Sequence, residues 1–321
     1  MTATSVERVT APAVADQERS VERMAMELRS CVHGRVRVHE PMARHTTFHI
    51  GGPADLLFEP VEVEDLVTGV RFARERDLPI KLLGNGSNLL VGDGGVRGLV
   101  VRLAPHFSRV AWSQTGAVVG AGAKLQRLLK DAAQVGLSGL ESLISIPGTV
   151  GGALVMNAGT DVGTIGDLVV GATVVDECGV VRRLDACDLA YRYRHSVLQT
   201  GKLIVVEAEL HLTPSDPEDI TAKMVRLRAK REGRQPLTAW SAGSAFKNPR
   251  GVAAGKILAR AGAKGMRVGD AEVSRKHANF VINRRRATAK DVRELLTRTH
   301  ALALRWYGID LEPEIEVVGE M

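Results

Sequence analysis

Ser244 lies in GSAFKNP (243–249), between a glycine and an alanine, with a lysine and an asparagine downstream and no histidine nearby in the sequence. A nucleophilic serine needs an adjacent base. Taken alone, this segment reads as a helix N-cap, although Pro249 leaves room for only a short turn before any helix. Other familiar signatures fail. GLSGL around Ser138 is not a nucleophile elbow, and the chain has no HExxH. GAGAKL (120–125) puts Leu125 where the third glycine of a dinucleotide fingerprint belongs. GVAAGK (251–256) is one spacer short of a P-loop and continues with Ile257 in place of Ser or Thr.

Two glycine-rich stretches survive. In LLGNGSNLLVGDGG (82–95), Gly84, Asn85 and Gly86 follow an apolar run and lead into Ser87 and Asn88. Successive amides in such a turn can form an anion-binding nest, suited to a diphosphate. A lone G-x-G is more often an ordinary tight turn, and the second stretch shifts the reading. IPGTVGGALVMNAG (146–159) places Gly148, Thr149, Gly151 and Gly152 where a helix can begin, with free amides and a positive dipole end for a phosphate. Two phosphate-competent loops in successive units imply a cofactor bridging them. Asp93 reads as a turn former.

The elements that must carry these loops follow from periodicity. Residues 1–20 are polar and alanine-rich without a repeat and read as a disordered tail; a helix is expected from Ser20 to Cys31. Strand ADLLFEP, helix VEDLVTGVRFARERD, and strands IKLLG and GLVVRL make a first α/β unit, 21–103. Strands RVAWS and AVVGAG, helix KLQRLLKDAAQVG, and strands LVVGATVVDE and LIVVEAELHLT make a second unit, 104–213. A charged helix ended by Pro236 connects to a third unit within 214–321. That unit holds helix GVAAGKILARAG, strand NFVINR, a long helix closed by Gly308, and a last strand DLEPEIEVV. On that last strand Glu312, Glu314 and Glu316 would share one exposed face.

Composition sets outer limits. At 321 residues with 45% apolar content, the chain is a globular protein of two or three compact units. No run reaches the roughly 18–20 apolar residues of a membrane span, and the first residues lack the apolar centre of a secretion signal, so the cytoplasm is the expected compartment. Three cysteines without a CxxC pair indicate neither a disulfide framework nor zinc, and no metal is expected. The net charge of +6 is scattered and aromatics are only 4%, which argues against nucleic acid and fits an anionic small molecule. Nothing specifies an oligomer, and a monomer is expected.

Together with TTFHIGGPADLL (46–57), the two loops resemble the UDP-N-acetylenolpyruvoylglucosamine reductase family. The likeness continues through YRYRHS (191–196), GSAFKNP, VSRKHANFVIN (273–283) and LEPEIEVVG (311–319), in the family's order. It covers nearly the whole chain after the tail, and the short distance from YRYRHS to LIVVEAELHL matches the family's shorter, type II form. The resemblance implies an α+β protein. A two-part FAD-binding fold of the vanillyl-alcohol-oxidase (PCMH) type would be followed by a C-terminal α+β substrate-binding domain. FAD would be held noncovalently, and NADPH would reduce it from the cleft the UDP-sugar later occupies. A flavin oxidase of the same fold, with flavin attached through His45 or His49, is the competing reading.

By position, the resemblance makes Arg194 the catalytic arginine, Ser244 the proton donor and Glu314 the catalytic glutamate, with Arg192 a nearby decoy. It assigns the cofactor to Thr47, Gly51, Gly52, the loop Gly84–Asn88, Gly148, Thr149, Gly151, Gly152 and Asn157. It assigns the substrate to Tyr193, Lys247 and Asn248, with His277 and Asn279 as further contacts.

Overall fold

The computed structural model describes residues 11–321 except Ala104, so the first ten residues of the expected tail lie outside the described residues. The second half of that tail is not irregular: helix α1 runs from Ala11 to Cys31. Its Val21, Ala25 and Leu28, spaced by four and three, are buried against the first sheet, and this packing outweighs the polar composition. Pro12 falls in the first turn, where its missing N–H breaks no helical bond.

The first sheet has the order β1 (Arg35–Pro41), β2 (Pro53–Glu59), β5 (Val96–Arg102), β3 (Ile80–Leu83). β1 pairs antiparallel with β2; β5 lies parallel to both β2 and β3. Helix α2 (Val63–Glu75) buries Leu66, Val70 and Phe72 against it. β1 escaped the pattern reading because RVRVHEP carries charges and buries only Val36. The short strand β4 (Leu89–Val91) follows the first glycine loop.

The second sheet is antiparallel throughout. Its order is β9 (Val181–Asp185), β8 (Val169–Asp176), β10 (Leu203–His211), β7 (Gly116–Gly120), β6 (Val110–Ser113). Helices α3 (Leu125–Gln134) and α4 (Val150–Val155) close its core through Leu125, Leu128, Leu129, Val150 and Leu154. β9 was invisible to alternation, since its residues face solvent at the sheet edge.

Helix α5 (Pro217–Arg234) starts at Asp216, whose carboxylate accepts from the Glu218 N–H, with Pro217 in the first turn. Beyond it, β11 (Arg267–Val268), β12 (Ala271–Val273) and β13 (Val281–Asn283) form a small antiparallel sheet. It packs with α6 (Ala254–Arg260) and α7 (Ala289–Tyr307) around Ile257, Leu258, Val292 and Leu295. Thr288 and Asp291 form a capping box on α7, and Gly308 ends it in the left-handed conformation. Asp93 does more than shape its own turn: its two carboxylate oxygens accept from the Ala289 and Lys290 amides, capping α7 from the first unit.

The expected last strand is shorter than read. Only β14 (Glu316–Val318) is extended in a ladder, parallel to β4, because Pro313 interrupts the run. Glu312 and Glu314 precede that ladder, so the three glutamates share no strand face.

Candidate active site

One large cavity of about 950 Å³ opens where the first sheet, the second sheet and the C-terminal unit meet. Both glycine loops line it. Gly84–Asn88 connects β3 to β4, and Gly86 sits at φ +59, where an added Cβ would lie 2.1 Å from the His45 carbonyl oxygen. Among the described residues, the amides of Asn85, Gly86 and Ser87 donate to no protein acceptor. They remain available to an anion.

The second loop departs from expectation. The Val150 amide bonds the Ala123 carbonyl at 2.9 Å, the Gly151 amide the Ala121 carbonyl at 2.8 Å, and the Gly152 amide Thr149 Oγ1 at 3.3 Å. The helix start that was to offer free amides has bonded these three internally. The loops nevertheless abut: a Cβ on Gly84 would stand 2.8 Å from Thr149 Oγ1, and one on Gly148 3.7 Å from Ser87 Oγ. Glycine here lets two backbone segments close on one wall of the cavity.

Thr47 also lines the cavity, but its hydroxyl donates to the Ser241 carbonyl at 2.7 Å. Gly51, Gly52 and Asn157 do not line it. Gly51 (φ +139) packs on Val91, and Gly52 lies so near Asp93 that a Cβ would meet its carbonyl at 2.2 Å. Asn157 accepts from the Gly166 amide at 3.0 Å and donates to the Arg192 carbonyl at 2.9 Å. Its bonds brace the loop that carries Arg194.

At the other end of the cavity Arg194 stands on the tip of a tight turn, Arg192–His195, closed by reciprocal backbone bonds of 3.1 Å. Its Nε donates to Glu314 Oε1 at 2.6 Å, and Nη2 to the Gly159 carbonyl at 3.1 Å. Arg192 faces solvent and does not line the cavity. Burial pushes the Glu314 carboxyl above its ordinary range, and the Arg194 and Lys247 charges offset this only in part. Glu312 is held by Lys247 at 2.5 Å and Glu316 by Lys81, so each glutamate answers its own cation.

Ser244 is no helix cap: Gly243–Pro249 contains no helix, only single bridges from Ser244 to Phe280 and from Phe246 to Pro313, and the next helix begins only at Ala254. The segment is clasped from both sides. The Ala245 amide bonds the Asn279 carbonyl at 2.8 Å, while the Glu314 amide bonds the Ala245 carbonyl at 2.9 Å. Ser244 and Glu314 are thereby fixed next to each other, and both line the cavity. The Asn279 side chain bonds both the amide and the carbonyl of Phe246, so it holds this segment and is buried away from the cavity. His277 accepts from the Asn279 amide, packs edge-on to Phe280, and is kept below its ordinary pKa by burial; it too lies off the cavity. Of the remaining expected contacts, Lys247 lines the cavity, whereas Tyr193 and Asn248 do not.

Several cavity residues escaped the sequence reading. Arg231 is half-buried and donates to the Ile144 carbonyl at 2.8 Å and to Gln235. It has no carboxylate partner among the described residues, and burial together with the Arg194 charge pushes its pKa down. A cation so placed favours an anionic ligand. Arg228 lines the same flank one turn away; three-residue spacing at the end of α5 was the available signal. Trp240, also missed, stacks at 4.3 Å on His49, one of the two histidines considered for flavin attachment, and both line the cavity. The other histidine considered for flavin attachment, His45, turns to Glu40 at 2.9 Å and does not line the cavity.

Comparison with known proteins agrees with this architecture. Residues 54–185 match the family model for an FAD binding domain, and 235–318 that for the UDP-N-acetylenolpyruvoylglucosamine reductase C-terminal domain. The UDP-N-acetylenolpyruvoylglucosamine reductase of Moorella thermoacetica is 48% identical over 301 residues, covering 92% of this chain and 98% of its own. Reductase 2 of Symbiobacterium thermophilum is 44% identical over 298 residues, covering 92% and 97%. The crystal structure of the Thermus caldophilus reductase aligns with a TM-score of 0.77 at 39% identity, over 89% of this chain and 99% of that one. Phl p 4.0202, a glucose dehydrogenase 17% identical to this chain, shares the fold alone, with a TM-score of 0.50 over 61% of this chain and 44% of that one. The fold is thus α+β with an FAD-binding portion of the vanillyl-alcohol-oxidase type. With its family-specific C-terminal domain and near-complete coverage of its relatives, the chain belongs to the UDP-N-acetylenolpyruvoylglucosamine reductase family.

Proposed function

We propose that this chain reduces the enolpyruvyl ether of UDP-N-acetylenolpyruvoylglucosamine to UDP-N-acetylmuramate, a peptidoglycan precursor, with FAD as cofactor and NADPH as reductant. The observation that carries the reading is one cavity with free loop amides and closely abutting glycines at one end and Arg194, Glu314 and Ser244 at the other. The abutting glycines and the Asn85, Gly86 and Ser87 amides fit the diphosphate of a dinucleotide. FAD bound there supplies hydride chemistry between the nicotinamide and the alkene.

The protein's own part is electrostatic and acid–base. Hydride addition at C3 of the enolpyruvyl group leaves negative charge at C2, spread onto the carboxylate. The Arg194 guanidinium would bind that carboxylate and stabilise the charge, and its turn, braced by Asn157 and Gly159, leaves it little freedom to move. Ser244 would deliver the proton to C2. A hydroxyl is too weak an acid to protonate anything but a strongly basic carbon, and C2 is one. Glu314, set beside it by the Ala245 bond, would return the proton or share the charge. Arg231, with Arg228 paired to Glu232 and Lys247 paired to Glu312 beside it, would give NADPH and the UDP-sugar, in turn, a cation to bind. The proposed site of action is the cytoplasm; no helix among the described residues is long and apolar enough to cross a membrane.

The test is an anaerobic two-step assay on the yellow holoenzyme. NADPH should bleach the flavin, and UDP-N-acetylenolpyruvoylglucosamine should restore its colour. In Ser244→Ala the first step should keep its rate and the second should slow at least about 100-fold. Reoxidation by oxygen alone, or equal loss of both steps in the variant, would sink the proposal.

A further inference from the structure

Arg194 adopts φ +53, a left-handed conformation that non-glycine residues take at a cost, so something must hold it there. Its neighbour on the turn supplies two candidate contacts. The Tyr193 ring lies 5.2 Å from the guanidinium carbon, within cation–π range. The Tyr193 hydroxyl reaches across to the C-terminal unit and accepts from the Asn248 amide at 3.2 Å. That anchor is stiff, because Asn248 Oδ1 accepts in turn from the Ala254 amide at the start of α6. The ring is half exposed and lines no part of the cavity.

We infer that Tyr193 is a positioning residue: it straps the arginine turn to the Ser244 segment and orients Arg194, without touching substrate. The turn meets residues beyond 235 through this contact and the Arg194–Glu314 pair. The two together set where the guanidinium stands relative to Ser244. The inference rests on the proposed role of Arg194 as the group that stabilises charge on the substrate.

The anaerobic two-step assay on FAD-loaded enzyme tests it, with Tyr193→Phe, Tyr193→Leu, Arg194→Lys and the double variant Tyr193→Phe/Arg194→Lys. Losing one hydrogen bond should slow reoxidation by the UDP-sugar about 3- to 10-fold in Tyr193→Phe. Tyr193→Leu, which also loses the ring, should be slower still. Reduction by NADPH, substrate Kd, flavin content and melting temperature should stay within about twofold or a degree or two of the parent. If the hydroxyl acts through Arg194, its effect should fall below about twofold in the Arg194→Lys background. An undiminished effect there, a raised Kd at unchanged maximal rate, equal slowing of both steps, or no effect at all would overturn the assignment. A parent enzyme whose reduced flavin the UDP-sugar does not reoxidise would instead remove the functional reading itself.

Discussion

The two ends of the cavity are built from different materials. At the loop end, Gly84–Asn88 and Gly148–Gly152 contribute backbone, with glycine wherever a Cβ would collide or φ turns positive. At the other end Arg194, Ser244 and Glu314 contribute side chains, delivered by a tight turn, a bridged irregular segment and the approach to the last strand. The first design leaves no room for a Cβ at Gly84 or Gly86; the second depends on charged side chains and donors. Even within the loop end, similar composition serves two purposes. Gly86 frees amides for a ligand, while Gly151 lets α4 approach Ala121, leaving an added Cβ only 3.0 Å from the Ala121 Cβ.

Substitutions can break this contrast or sharpen it. The largest effect is expected at the charged end. Arg194→Met should cost about 3–4 kcal/mol of barrier in reoxidation by the UDP-sugar, with flavin content unchanged by absorbance. Gly86→Ala should do the reverse. It forces an alanine to φ +59 against the His45 carbonyl, and should destabilise the protein by about 2–3 kcal/mol in urea titration and release flavin on gel filtration. The opposite outcomes, flavin loss in the first and a silent second, would mean that the two ends are not separate in function.

Glu314 offers a subtler test through pH. Its carboxyl is raised in the folded state, so the folded protein binds that proton more tightly than the unfolded chain. The stability tied to it is fully present below 4.5, the ordinary value, and is lost as pH rises through the folded-state value. Glu314→Gln does not titrate, and its melting temperature relative to the parent should therefore climb as pH rises from 4.5 and then level off. A flat or falling difference would mean that the Arg194 ion pair outweighs burial. Smallest of all is Gly148→Ala: the added Cβ meets only Leu125 and Ser87 Oγ, both at 3.7 Å. Stability should change by under about 0.5 kcal/mol, with flavin retained.

Much of this molecule is legible in one dimension. Helices α2, α3, α5 and α7 and the apolar strands follow from periodicity, since a buried face imposes its spacing on the chain. The glycine loops stand out by composition, and the motifs in their order carried the family. The extension of α1, the edge strand β9 and the charged strand β1 were hidden, because each depends on a partner surface more than on its own pattern. Gly51 and Gly52 looked like cofactor glycines, yet they are small because Val91 and Asp93 press on them, a fact about neighbours some 40 positions away.

By itself the sequence determined most of the helices, the apolar strands and the glycine turns, because those choices answer to forces within a few residues. Only the tertiary structure decided that Arg194 and Glu314 meet across 120 positions. It likewise decided that Asp93 caps a helix of another unit and that three amides of the second glycine loop turn inward. Such contacts are won by packing among surfaces distant in sequence, and no local pattern records which surface will face which.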